Sequence, residues 1–102
     1  MKRGTTAKIT VKLPDIYKLS EIASAVLSIC QPEADVFITK QLDDLSENIS
    51  DNSFSVSLSQ AETLQFNLGI ASVQLKIKIG DSVIASQIGK IAINNILSEV
   101  IL

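Results

Sequence analysis

The side chains of this sequence that could do chemistry are few. Histidine is absent from all 102 residues, so a serine or cysteine nucleophile would have no imidazole base. The densest group of hard oxygen ligands is Asp43-Asp44 with Glu47 and Asp51. Its spacing lacks the alternating ligands and central glycine of an EF-hand loop, so calcium is not predicted there. Cys30 is the single cysteine, which rules out an internal disulfide, and its apolar neighbours mark it as a small buried hydrophobe. No thiols or imidazoles fall at metal-ligand spacing. Gly69, Gly80 and Gly89 fit turns or strand breaks, not a phosphate-binding loop. Lys8, Lys12, Lys76 and Lys78 read as a solvated sheet face. The sequence therefore predicts no enzyme, no cofactor, no metal and no small-molecule substrate.

Charge narrows the partners further. Nine basic and eleven acidic residues give a net charge of −2, whereas phosphate binding calls for a basic excess; nucleic acid is not expected. No apolar run approaches the roughly 20 residues that span a bilayer, so no membrane partner is predicted. Met1-Lys2-Arg3 leads into Gly4-Thr5-Thr6 and an alternating segment, not a secretory h-region, and the protein is expected to be made and folded in cytoplasm. The charges are segregated along the chain. Residues 1–18 hold five basic groups and one acid, while 33–62 hold seven acids and one lysine, an asymmetry suited to docking between copies or onto a partner.

The elements that must position these groups are centred on residues 51–86. Phe54, Val56 and Leu58 alternate with Ser53, Ser55, Ser57 and Ser59, the period of a half-buried strand. Val73, Leu75, Ile77 and Ile79 alternate with Gln74, Lys76 and Lys78. Gly80-Asp81 then supplies a two-residue turn, so 73–79 and 82–86 should form an antiparallel hairpin. Ser59-Gln60-Ala61-Glu62 matches the capping box and predicts a helical turn through about Phe66, stopped at Asn67-Leu68-Gly69.

Around that centre, Ile9, Val11 and Leu13 alternate up to Pro14, a strand over 7–13. Ile16, Leu19, Ile22, Ala23, Val26, Leu27 and Cys30 fall at helical spacing. The turn at Gln31-Pro32-Glu33-Ala34 and the strand 35–40 favour instead a hairpin of 23–30 with 35–40. Residues 41–52 read as an acidic, turn-rich connection with a brief ordered patch near Leu42–Leu45. A strand over 88–93 gives way to a short C-terminal turn ending in Val100-Ile101-Leu102, an aliphatic end expected on the core or on another chain. About seven short strands in one domain, 1–102, predict an all-β fold: an antiparallel two-sheet β-sandwich, Ig-like in outline, without the Cys…Trp…Cys signature of true immunoglobulin domains. The strand at 53–59 shows only small hydroxyls and no guarding lysine, so it reads as an edge covered by a loop or a neighbouring subunit.

Several stretches carry a resemblance. They are Arg3-Gly4-Thr5-Thr6 before a strand ending Leu13-Pro14, a strand ending in Gln31, and Leu58-Ser59-Gln60-Ala61-Glu62-Thr63-Leu64. A Val73-Gln74-Leu75-Lys76 strand, a Gly80-Asp81 turn leading to Ala85-Ser86, and Ile96-Leu97 complete the set. Together they resemble small proteins of the structural modules of tailed phages and prophages of Firmicutes, in which the opening commonly reads RGTTP and the middle LTQEETL. Here Ala7 stands in place of the proline, and Ser59 and Ala61 in place of Thr and Glu. The resemblance implies a non-enzymatic β-sandwich component of a virion, bound to copies of itself and to other virion proteins. The residues expected at such interfaces are Ser53, Ser55 and Ser57, Asp43, Asp44 and Glu47, and Val100, Ile101 and Leu102. The alternatives are a host-surface or carbohydrate-binding module on the particle, and a cytoplasmic phage assembly factor.

Overall fold

Period-2 alternation becomes strand wherever the sequence carries it. The computed structural model describes residues 1–86 and 88–94. In chain order it contains β1 (Ala7–Lys12), β2 (Ile22–Gln31), β3 (Val36–Gln41), β4 (Ser46–Asn48), β5 (Ser53–Leu58), α1 (Gln60–Leu64), β6 (Gly69–Ile79), β7 (Ser82–Ala85) and β8 (Gly89–Ile93). The strands form two antiparallel sheets, a three-stranded one in the order β1-β5-β4 and a five-stranded one in the order β3-β2-β6-β7, with β8 also on β6. The fold is an all-β two-sheet sandwich, with eight strands among the described residues.

One core lies between the sheets. Ala25, Leu27 and Ile29 of β2, Val36 and Ile38 of β3, and Leu75 and Ile77 of β6 face Ile9 of β1 and Phe54, Val56 and Leu58 of β5. Each large aliphatic or aromatic side chain buried this way contributes about 1.5–3 kcal/mol. Aliphatic residues dominate because only four aromatics exist. Phe54 and Phe66 are fully buried and Tyr17 packs at the core margin.

Both expected hairpins form. β2 and β3 pair from Gln31↔Val36 to Val26↔Gln41, so the helical spacing within 16–30 yields to the sheet. Its connection is a 3-10 turn at Pro32–Ala34, closed by Asp35 in the left-handed region. β6 and β7 close at Ile79↔Ser82, where Gly80 holds φ +58, a value that costs glycine little. β7 and β8 share one edge of β6, β7 against 76–79 and β8 against 69–73. Ser86 bridges the gap between them: its amide donates to the Leu75 carbonyl at 2.8 Å, and its hydroxyl accepts the Leu75 amide at 3.0 Å.

Three expectations change. The 41–52 connection includes a real strand, β4, whose three residues are too few to show alternation. The 53–59 segment is no edge: β5 is the central strand of its sheet, paired with β1 along its whole length and with β4 over 53–55. Cys30 is not in the core, because β2 buries 25, 27, 29 and 31 and turns Cys30 to the outer face, where it is half-buried. The expected C-terminal turn, Ile96-Leu97 and Val100, Ile101 and Leu102 lie outside the described residues.

Candidate functional site

Three of the stretches singled out in the sequence, Arg3-Gly4-Thr5, Gln31 and residues 59–64, meet around α1. Ser59 caps the helix: its hydroxyl accepts the Glu62 amide at 3.1 Å, and the Glu62 carboxylate accepts the Ser59 amide at 3.0 Å. This is the reciprocal arrangement the sequence predicts. The Lys40 ammonium stands 2.8 Å from the other Glu62 oxygen. Burial works to raise the Glu62 carboxyl, but the Lys40 contact and the Ser59 hydrogen bonds outweigh it and hold the group below its ordinary value.

The N-terminal leader then docks on the same turn. Thr63 is fully buried. Its hydroxyl accepts the amide of buried Gly4 at 3.0 Å and donates to the Thr5 carbonyl at 2.7 Å. The Gln60 side-chain amide reaches the Gly4 carbonyl at 3.3 Å, and Arg3 Nε donates to the Phe66 carbonyl at 2.7 Å. Gly4 sits at φ +80, which lets the chain turn against the helix without a Cβ penalty. On the other side Gln31, also buried, exchanges two hydrogen bonds with Asn67: Nε2 to the carbonyl at 2.9 Å and Oε1 from the amide at 2.7 Å. A side-chain amide thus imitates a strand pair where β2 has ended. Together, Arg3, Gly4, Thr5, Gln31 and the turn over residues 59–63 form one polar joint between the two sheets. Sequence reasoning found the pieces but not their union, because the partners lie 36 to 63 residues apart.

The expected interface residues that are described, Ser53, Ser55, Ser57, Asp43, Asp44 and Glu47, lie elsewhere. Ser53, Ser55 and Ser57 face outward on β5 in register with Lys12, Thr10 and Lys8 of β1. Ser53 and Ser55 are nevertheless buried by their surroundings, and only Ser57 is open. Asp43 and Asp44 lie on a 3-10 turn (Leu42–Asp44) between the sheets, where Asp44 accepts the Gln41 amide at 3.1 Å. Glu47 is exposed on β4. Asp51 accepts from the Asn48 side chain at 3.0 Å.

An open cleft of about 680 Å³ separates the edges of the two sheets, lined by Val11, Leu13 and Tyr17 on one side and Leu75, Ile77 and Ile84 on the other. Lys12 and Tyr17 are the only titratable groups on it among the described residues. That lining suits apolar packing and offers no acid–base pair. Among the described residues no three Asp, Glu, Cys or His side chains come together as metal ligands.

What sequence reasoning missed is the outer face of the five-stranded sheet. Alternation buries Val36 and Ile38 and so turns Phe37 outward, leaving it 67% exposed. Phe37 pairs with Cys30, Cys30 with Ser72, and Ser72 with Lys90, a row across four strands. Ile70, 61% exposed, and its partner Ala92 flank that row. The parity of Phe37 against Val36 and Ile38 was the available signal. No family model matches this sequence, and no match is found among curated proteins.

Proposed function

We propose that this protein is a non-enzymatic structural subunit of a phage or prophage-derived particle, working through protein–protein interfaces. The observation that carries the reading is the placement of large apolar side chains on the outside of ordered elements. Phe37, Ile70 and Val83 stand on strands, and Ile16 and Ile49 on two loops tied together by Asn52, each more than half exposed. Asn52 Nδ2 donates to the Leu13, Pro14 and Tyr17 carbonyls at 3.4, 3.2 and 2.7 Å. Large apolar groups left in water favour docking where they share one face, because contact removes them from solvent. The resemblance of the stretches at 3–6 and 58–64 to those of phage structural modules supplies the setting. The partners are copies of this chain and other virion proteins, and the working location is the virion.

Mass spectrometry of density-purified particles from the source cells tests this reading. The protein should be present as a stoichiometric component. Absence from particles that contain capsid and tail proteins would overturn it, and recovery only in the soluble fraction would favour an assembly factor. Phe37 gives the carbohydrate-binding alternative one candidate stacking surface, and a glycan array would register it.

A further inference from the structure

We infer that the outer face of the five-stranded sheet docks onto the acidic β3–β4 side of a second copy of this chain, a head-to-tail contact. This inference rests on the subunit reading above and names its surfaces. The outward positions of β2, β3, β6, β7 and β8 include Phe37, Cys30, Ile70 and Val83, together with Lys76, Lys78 and Lys90. No Asp or Glu occupies an outward position on these five strands. Among the described residues the Lys90 ammonium meets the Ser72 hydroxyl at 3.1 Å, and Lys76 and Lys78 are exposed. Two such faces cannot pair with each other favourably, since lysines would oppose lysines.

The matching surface lies on the same molecule. Ile49 is 82% exposed and is flanked in sequence by Glu47 and Asp51, with Asp43 and Asp44 on the preceding turn. One surface thus carries Phe37, Ile70 and Val83 among hydroxyls and lysines, and the other carries Ile49 beside Asp15, Glu47 and Asp51, with Lys18 the one cation against it among the described residues. They are complementary in both polarity and charge, the combination that fixes register and suppresses wrong partners. The outer face of the three-stranded sheet is a weaker candidate: it also carries lysines, but otherwise shows hydroxyls and nothing large and apolar to desolvate.

The area is adequate. β6 has 11 residues; at about 3.3 Å per residue, and about 4.8 Å between strands over a four-strand width, the face measures roughly 600 Å². That approaches the ~800 Å² per partner of an ordinary specific interface. Because the two surfaces differ, the contact is heterologous: each copy keeps one surface free, and copies continue into a ring or a row.

Zero-length carbodiimide coupling of a mixture of unlabelled and ¹⁵N-labelled protein tests the contact. Amide cross-links joining Lys76, Lys78 or Lys90 to Asp43, Asp44, Glu47 or Asp51 should appear as mixed-isotope pairs. Phe37→Glu and Ile49→Glu should each lower their yield by about tenfold or more, as expected for a central apolar anchor. Both substituted side chains are exposed, so far-UV circular dichroism should stay unchanged. The double change Lys76→Glu/Lys78→Glu should abolish the links, and combining it with Asp43→Lys/Asp44→Lys should restore coupling. Absence of mixed-isotope links at millimolar protein would overturn the inference. So would links that survive both Glu substitutions in folded protein. Particles that contain the protein without these links would refute this contact and leave the subunit reading standing. The links in purified protein, with no protein in particles, would do the reverse.

Discussion

Replacing Thr63 with valine removes one oxygen and keeps the shape, so it isolates the polar joint. The hydroxyl serves the leader twice, accepting from the Gly4 amide at 3.0 Å and donating to the Thr5 carbonyl at 2.7 Å. Thr63 is 0% exposed and Gly4 is buried, so water has no ready access to either partner. Stranding the Gly4 amide costs about 1–3 kcal/mol, and the lost donation to Thr5 adds about 1 kcal/mol. The expected total is about 2–4 kcal/mol, a large fraction of the about 5–15 kcal/mol available to a domain of this kind. At a urea slope of about 2 kcal/mol per M, the midpoint should fall by about 1–2 M with the slope unchanged. Thr63→Ser keeps the hydroxyl and loses only a methyl group, so it should lie closer to wild type. A valine variant within about 0.5 kcal/mol of wild type would refute the joint as a stabilising element. So would a serine variant destabilised as much as the valine one.

Other perturbations test neighbouring parts of the same structure. Ser59→Ala should cost about 1 kcal/mol in urea melts by removing the N-cap, and an unchanged midpoint would mean that the cap contributes nothing. Gly4→Ala should cost about 1–2 kcal/mol because φ there is +80, and a neutral result in the same melts would contradict that backbone conformation. Glu62→Gln should show a pH signature. The Glu62 carboxyl lies below its ordinary value, so its contribution is present above that ordinary value and is lost as pH falls through the lowered folded value. The gap in urea midpoint between wild type and Glu62→Gln should therefore narrow as pH falls through that lowered value, and a gap that widens on acidification would reverse the assignment.

What the sequence made legible is what repeats locally. Alternation located β1, β3, β5, β6 and β8, because burying one face of a strand forces that period, and the turns at 31–34 and Gly80-Asp81 located β2 and β7. Ser59 and Glu62 declared the cap because both halves of the device lie within four residues. β4 stayed invisible because Ser46-Glu47-Asn48 carries no apolar residue; it is strand only because β5 offers a free edge there. For the same reason β5 was misread as an edge. Its neighbours come from residues 7–12 and 46–48, and no property of the serines themselves records that choice.

The polar joint and the outer face differ in why they escaped. Gln31 and Thr63 are buried polar residues that a one-dimensional pattern scores as solvent-facing, and only their long-range partners make burial tolerable. Phe37 could have been found: with Val36 and Ile38 committed to the core, the pleat leaves Phe37 no inward position. An aromatic held outward on a strand gains nothing for this fold and loses apolar burial worth about 2 kcal/mol. Charge points the same way, since among the described residues no acid occupies an outward strand position beside Lys76, Lys78 and Lys90, while Glu47 and Asp51 flank exposed Ile49 in sequence. A monomer selected only for stability and solubility would mix the two signs on each surface. Segregated charge around exposed apolar groups is what the proposed head-to-tail contact requires.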